Sequence, residues 1–146
     1  MEAISAISLI SSCASLAKTC ISVSKTLTDL AEKYKQAELT LHSLSAECET
    51  IELAWSRIEC WASKNMDSID DFDELLTRLA KSIHIGKLVM TELEKDLQNL
   101  HRPGNLLWRT RLVWNETVMR DHQHRLRGQV GALVLLLEAI QLSVRS

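Results

Sequence analysis

Apolar residues recur along this chain in alternating steps of three and four, and they do so over most of its 146 residues. One row reads Ala37, Leu41, Leu44, Cys48, Ile51, Trp55, Ile58, Ala62, and a later one Phe72, Leu76, Leu79, Ile83, Gly86, Met90, Leu93, Leu97, Leu100. Helical geometry brings positions three and four apart onto one face, so each row is a single narrow apolar seam. Such seams are buried against other helices, as in a coiled coil or an up-down bundle. The pattern predicts an all-α fold, an antiparallel four-helix bundle in one domain. Its helices are expected over 3–33, 36–63, 71–100 and 116–144, with a short one over 106–114. The core is read as Leu41, Leu44, Ile51, Trp55, Leu79, Ile83, Leu93, Leu97, Leu133 and Leu137.

Four Gly and one Pro leave few breaks, and Val and Ile are not gathered into short alternating runs, which argues against sheet. In the first helix the seam is Ala6, Leu9, Cys13, Leu16, Cys20, Val23, Leu27, Leu30 and Tyr34. A flanking row of Ile4, Ile7, Ile10, Ala14, Ala17 and Ile21 predicts a central helix touching more than one neighbour. Lys64-Asn65 ends the second helix with Asn in a left-handed cap, and 66–70 reads as a loop. Asp71 with Glu74 three positions on resembles a capping box for the third. Asp70, Asp71, Asp73 and Glu74 also suit the positive end of that helix, so they need no calcium to explain them. Arg102-Pro103-Gly104 is the strongest break. Beyond it, at about 1.5 Å per residue, an unbroken segment would overhang the third helix by about 15 Å; a break at Asn115, a fair cap residue, resolves this. The last helix is expected to bury Met119, Leu126, Val130, Leu133, Leu137, Ile140 and Val144, and Leu133 to Leu137 are apolar all round.

The net charge of −2 gives no global reason to expect nucleic acid. Charge is nevertheless segregated: residues 34–63 and 64–100 each carry −3, whereas 101–127 carry +4. Cys13, Cys20, Cys48 and Cys60 form no C-x-x-C pair and read as free thiols of a reducing compartment. From Ala3 to Ala17 there is no charge, yet Glu2 stands where a signal peptide is basic and five Ser interrupt the stretch. We read it as part of the fold, too short and too Ser-rich for a membrane span.

No phosphate-binding glycine loop, nucleophile elbow or H-E-x-x-H occurs. Paired Glu-x-x-His motifs of a di-iron bundle are missing too. His122 and His124 point to different faces and read as part of a solvated basic surface, not a metal site. The acids fall off the seams. Neither an enzymatic activity, a cofactor nor a small-molecule substrate is expected. Arg102, Arg109, Arg111, Arg120, Arg125 and Arg127, interleaved with Trp108 and Trp114, suit an anionic surface. The plainer reading pairs them with Glu92, Glu94 and Asp96 inside the bundle. The acidic middle of the chain argues against nucleic acid.

The beginning, MEAISAISLISSCASLAKTCISVSKTLTDLAEKYKQA, leads into an acidic heptad helix, and residues 109–141 read RTRLVWNETVMRDHQHRLRGQVGALVLLLEAIQ. Together they resemble the HeLo-like N-terminal domains of fungal STAND, or NOD-like receptor-type, proteins, over essentially the whole chain. R-x-R-L-x-W, then L-R-G-Q and the leucine-rich run, carry most of the resemblance. It implies a bundle similar to those of mixed lineage kinase domain-like protein and plant resistance coiled-coil domains. It also implies an effector end in fungal immunity, heterokaryon incompatibility and programmed cell death. In that family the first helix is implicated in membrane attack. Carried over, this is residues 2–24, with Ile4, Ile7, Leu9, Ile10 and Leu16 as candidate membrane or oligomer residues; the serines depart from the pattern. The expected partners are like domains and an anionic membrane. The expected location is cytoplasmic, with plasma-membrane association on activation. The alternative is a non-lytic homotypic bundle that pairs through helix 1 or Leu133 to Leu137. The last helix runs nearly to Ser146 without a stop signal, which reads as a fragment or a short stand-alone form.

Overall fold

The computed structural model describes residues 5–100 and 116–145. They form an all-α four-helix bundle: α1 (Ala6–Lys33), α2 (Glu38–Lys64), α3 (Asp73–Leu100) and α4 (Glu116–Arg145). The expected helix over 106–114 and the break at Asn115 lie outside the described residues.

Local chemistry sets the ends. Ser5 caps α1, its hydroxyl accepting from the Ser8 N–H at 3.1 Å. A 3-10 turn, Lys35–Ala37, joins α1 to α2, so α2 starts later than its seam suggested. At the other end Asn65 is not left-handed, with φ −117°. It closes α2 by donating its side-chain amide to the Trp61 carbonyl at 2.8 Å. The expected loop after it is a 3-10 segment, Met66–Phe72, and Asp71 lies within that segment instead of capping α3. Phe72 anchors the segment by meeting Trp61 edge to face, ring centroids 5.5 Å apart.

α1 lies mainly along α2 and also against α3, while α4 packs on α2 and α3. The ring order is therefore α1, α2, α4, α3, with α1 facing α4 and α2 facing α3 across the core. Two layers give the directions. Leu16, Trp55, Gly86 and Gln129 meet in one, and Leu27, Leu44, Leu93 and Met119 line another. From the first layer to the second, residue numbers rise in α1 and α3 and fall in α2 and α4. Successive helices thus alternate in direction, but the neighbours α1 and α3 run the same way, as do α2 and α4.

The core follows the seams of the first three helices closely: Leu41, Leu44, Ile51, Trp55, Leu79, Ile83, Leu93 and Leu97 are all buried. In α4 the seam is displaced. Met119, His122, Leu126, Gln129, Leu133, Leu136 and Ile140 are buried, while Val130 and Leu137 are only partly covered. The buried row keeps its three-four spacing through two polar residues, so a reading confined to apolar residues shifts it to the wrong neighbours.

Candidate functional site: helix α1 and its attachments

The inner stripe of α1, with Leu9, Cys13, Leu16, Cys20, Val23, Leu27 and Leu30, is buried in the core. The flanking row joins it only in part: Ala17 is buried, and α1 touches both α2 and α3 as expected. Ile7 is 72% exposed and Ile21 42%, with Ile10 partly covered, because α1 has two neighbours and not three. Ile4 lies outside the described residues. The rest of the outer face presents Ser8, Ser11, Ser15, Lys18, Ser22 and Lys25 to solvent. α1 is long and apolar enough, by length and composition, to cross a membrane. This corrects the expectation that it is too short, since the apolar spacing continues past Lys18. A buried core helix meets the same criteria.

One polar cluster fastens α1 to α2. Ser24 Oγ and Ser45 Oγ are 2.7 Å apart and buried. Ser45 Oγ also donates to the Ser24 carbonyl at 3.1 Å, and Ser24 Oγ reaches a carboxylate oxygen of Glu49 at 3.3 Å. Thr28 Oγ1 adds a contact to Ser45 at 3.1 Å. Small hydroxyls let the two backbones approach while satisfying each other. Among the described residues no ion pair ties α1 to the rest of the bundle. The buried thiols, Cys13 and Cys20 on α1 and Cys48 on α2, are inert: burial, with neighbouring carboxylates adding to it, pushes all three up to about 12 from 9.0. All four cysteines are free and Cys60 is exposed.

The charged attachments are on α4. His122 is buried, not part of a solvated face, and its Nε2 lies 2.6 Å from an Asp96 carboxylate oxygen on α3. Arg127 Nε donates to Glu47 of α2 at 2.9 Å, so its partner is not Glu92, Glu94 or Asp96. Arg120 and Arg125 are on the exposed surface of α4. Arg102, Arg109 and Arg111 lie outside the described residues, so the basic patch is described only in its α4 half. Among the described residues no three His, Cys, Asp or Glu side chains converge as a metal site would.

Sequence reasoning found the apolar stripe of α1 and missed the serine cluster and the His122–Asp96 pair. The signal for both was present: Ser24 and Ser45 sit one step from seam positions, and His122 lies three residues from Met119 and four from Leu126, on the seam itself. Comparison with protein-family models, curated proteins and solved structures returned no match to this chain.

Proposed function

We propose that this bundle is a signalling or effector domain whose α1 leaves the core to enter an anionic membrane, as the resemblance to HeLo-like fungal receptor domains implies. The observation that carries the reading is how α1 is held. It is fixed by an apolar stripe and one hydroxyl cluster, with no ion pair among the described residues. Its departure strands no buried countercharge, and hydroxyls cost far less to move into lipid than charges do. Its outer face already offers Ile7 and Ile21.

The energetic requirement is definite. Burial of Leu9, Leu16, Val23, Leu27 and Leu30 stabilises the bundle by about 1.5–3 kcal/mol each. That is comparable with the whole stability of a domain, about 5–15 kcal/mol. Lipid must take up the same stripe, so release without a bilayer is not expected.

The test is dye release from vesicles containing phosphatidylserine, with neutral vesicles as the comparison. Ile7→Glu and Ile21→Glu change exposed positions and leave the bundle folded, which circular dichroism checks. Wild type is expected to release dye and the two variants to lose most of that activity. Folded wild-type protein that leaves anionic vesicles intact would refute the membrane reading, as would variants that leak like wild type.

A further inference from the structure

The face of α4 turned away from the core carries no charged residue between Arg127 and Glu138. Gly128, Gly131, Leu135 and Leu142 lie along it, opposite the buried row of Leu126, Leu133, Leu136 and Ile140. Leu135 is 67% exposed and Leu142 68%. The glycines are the more informative residues. A Cβ at Gly128 or Gly131 would meet nothing within 4 Å. The bundle's own packing therefore gives no reason for glycine, and each costs about 0.5–1 kcal/mol relative to alanine in a helix interior. Close approach of another backbone is the circumstance in which a helix benefits from such a gap.

We infer that the outer face of α4 is a self-association surface, on which a second copy of this chain packs its own α4 antiparallel, crossing at Gly131. Three features of the helix favour a second copy over an unrelated partner. His124 and Glu138 stand two turns to either side of Gly131, so a two-fold axis there places each imidazole opposite the other copy's carboxylate. The same axis sets Leu135 beside the other copy's Gly128 and Arg127, an apolar knob over a gap and an aliphatic stem. His124, Glu138 and Leu135 are all exposed, so no rearrangement of the bundle is needed. This surface is independent of the membrane reading: α1 and α4 occupy opposite corners of the ring.

Sedimentation velocity on the 146-residue chain without lipid tests it. Wild type is expected to dimerise, Leu135→Arg to weaken the dimer by about tenfold or more, and Glu138→Lys to weaken it less. Adding His124→Glu to Glu138→Lys is expected to restore it, a recovery that a folding defect would not give. Gly131→Cys, in a Cys60→Ser background, is expected to form an intermolecular disulfide on oxidation, because the axis brings the two copies of that position together. A chain monomeric at every concentration, a dimer indifferent to Leu135→Arg, or a Gly131→Cys protein that does not cross-link would overturn the proposal. So would loss of the dimer in Ile7→Glu with Leu135→Arg unaffected, which would move the interface to α1. Loss of leakage in the vesicle assay has no bearing on these outcomes.

Discussion

His122 and Asp96 join α4 to α3 through a 2.6 Å contact in which the imidazole side chain is 4% exposed and the carboxylate 37%. The two partners are unequal. Water reaches the carboxylate, whereas the imidazole depends on this one bond, its Nδ1 having no hydrogen-bond partner. Asp96→Ala is therefore expected to cost about 1–3 kcal/mol, the penalty of leaving a buried polar ring unpaired. His122→Leu is expected to cost less, since it restores an apolar seam and leaves Asp96 hydrated. Urea denaturation of both variants checks the order.

Gly86 lies in a closely packed layer of the core, where an added Cβ would lie 3.3 Å from Trp55 Cζ2, 3.4 Å from Gln129 Oε1 and 3.5 Å from Leu16 Cδ1. Gly86→Ala gains about 0.5–1 kcal/mol of helix propensity and loses a similar amount to crowding. Its unfolding midpoint should fall close to wild type. Gly86→Leu overfills the layer and should lose about 1–3 kcal/mol.

The register of α4 makes a sharper test. Leu133 and Leu136 are buried, Leu135 is exposed and Leu137 sits between. Leu133→Ala should cost about 2–5 kcal/mol, whereas Leu135→Ala should stay within about 0.5 kcal/mol when the monomer is measured at low concentration. Thermal melts of these two variants decide between this register and one shifted by a residue.

Thiol chemistry should divide the cysteines. Cys60 is expected to react with an alkylating reagent in the native protein, and Cys13, Cys20 and Cys48 only after unfolding. The pH dependence has a definite sign. The buried thiols hold their protons up to about 12 in the fold and lose them near 9.0 when exposed. The unfolded chain therefore binds fewer protons in that window, and stability falls as pH rises from about 9 toward 12. Replacing the three with alanine should flatten that slope.

The architecture was legible where the seam was wholly apolar. Leu41 to Ile58 and Leu76 to Leu97 fall in the core as their spacing requires. Legibility failed where a polar residue took a seam position. His122 and Gln129 hold the α4 row; His122 is paired across helices with Asp96, which periodicity cannot show, whereas Gln129 Oε1 is buried without a hydrogen-bond partner. Turn chemistry was a second blind spot: the acids before α3 satisfy a capping pattern, yet a 3-10 segment continues through Asp71. At the candidate site, spacing alone could not tell which flank of α1 would find a neighbour, since that depends on ring order. It placed Leu9 on the seam and Ile7 on the flanking row, and the bundle buries the first and leaves the second exposed.

The strap Met66–Phe72 joins helices at opposite corners of the ring. A 3-10 stretch advances about 2.0 Å per residue, so its seven residues reach about 14 Å. That is the diagonal of a square whose edges are the usual 8–10 Å between packed helices. The connector is thus a ruler. Cut by three residues and kept 3-10, it would reach about 8 Å, the distance to an adjacent corner, and only by unwinding to extended chain could it still cross the diagonal. The winding order of this bundle is written in the length of the joint that crosses it as much as in the leucines it encloses.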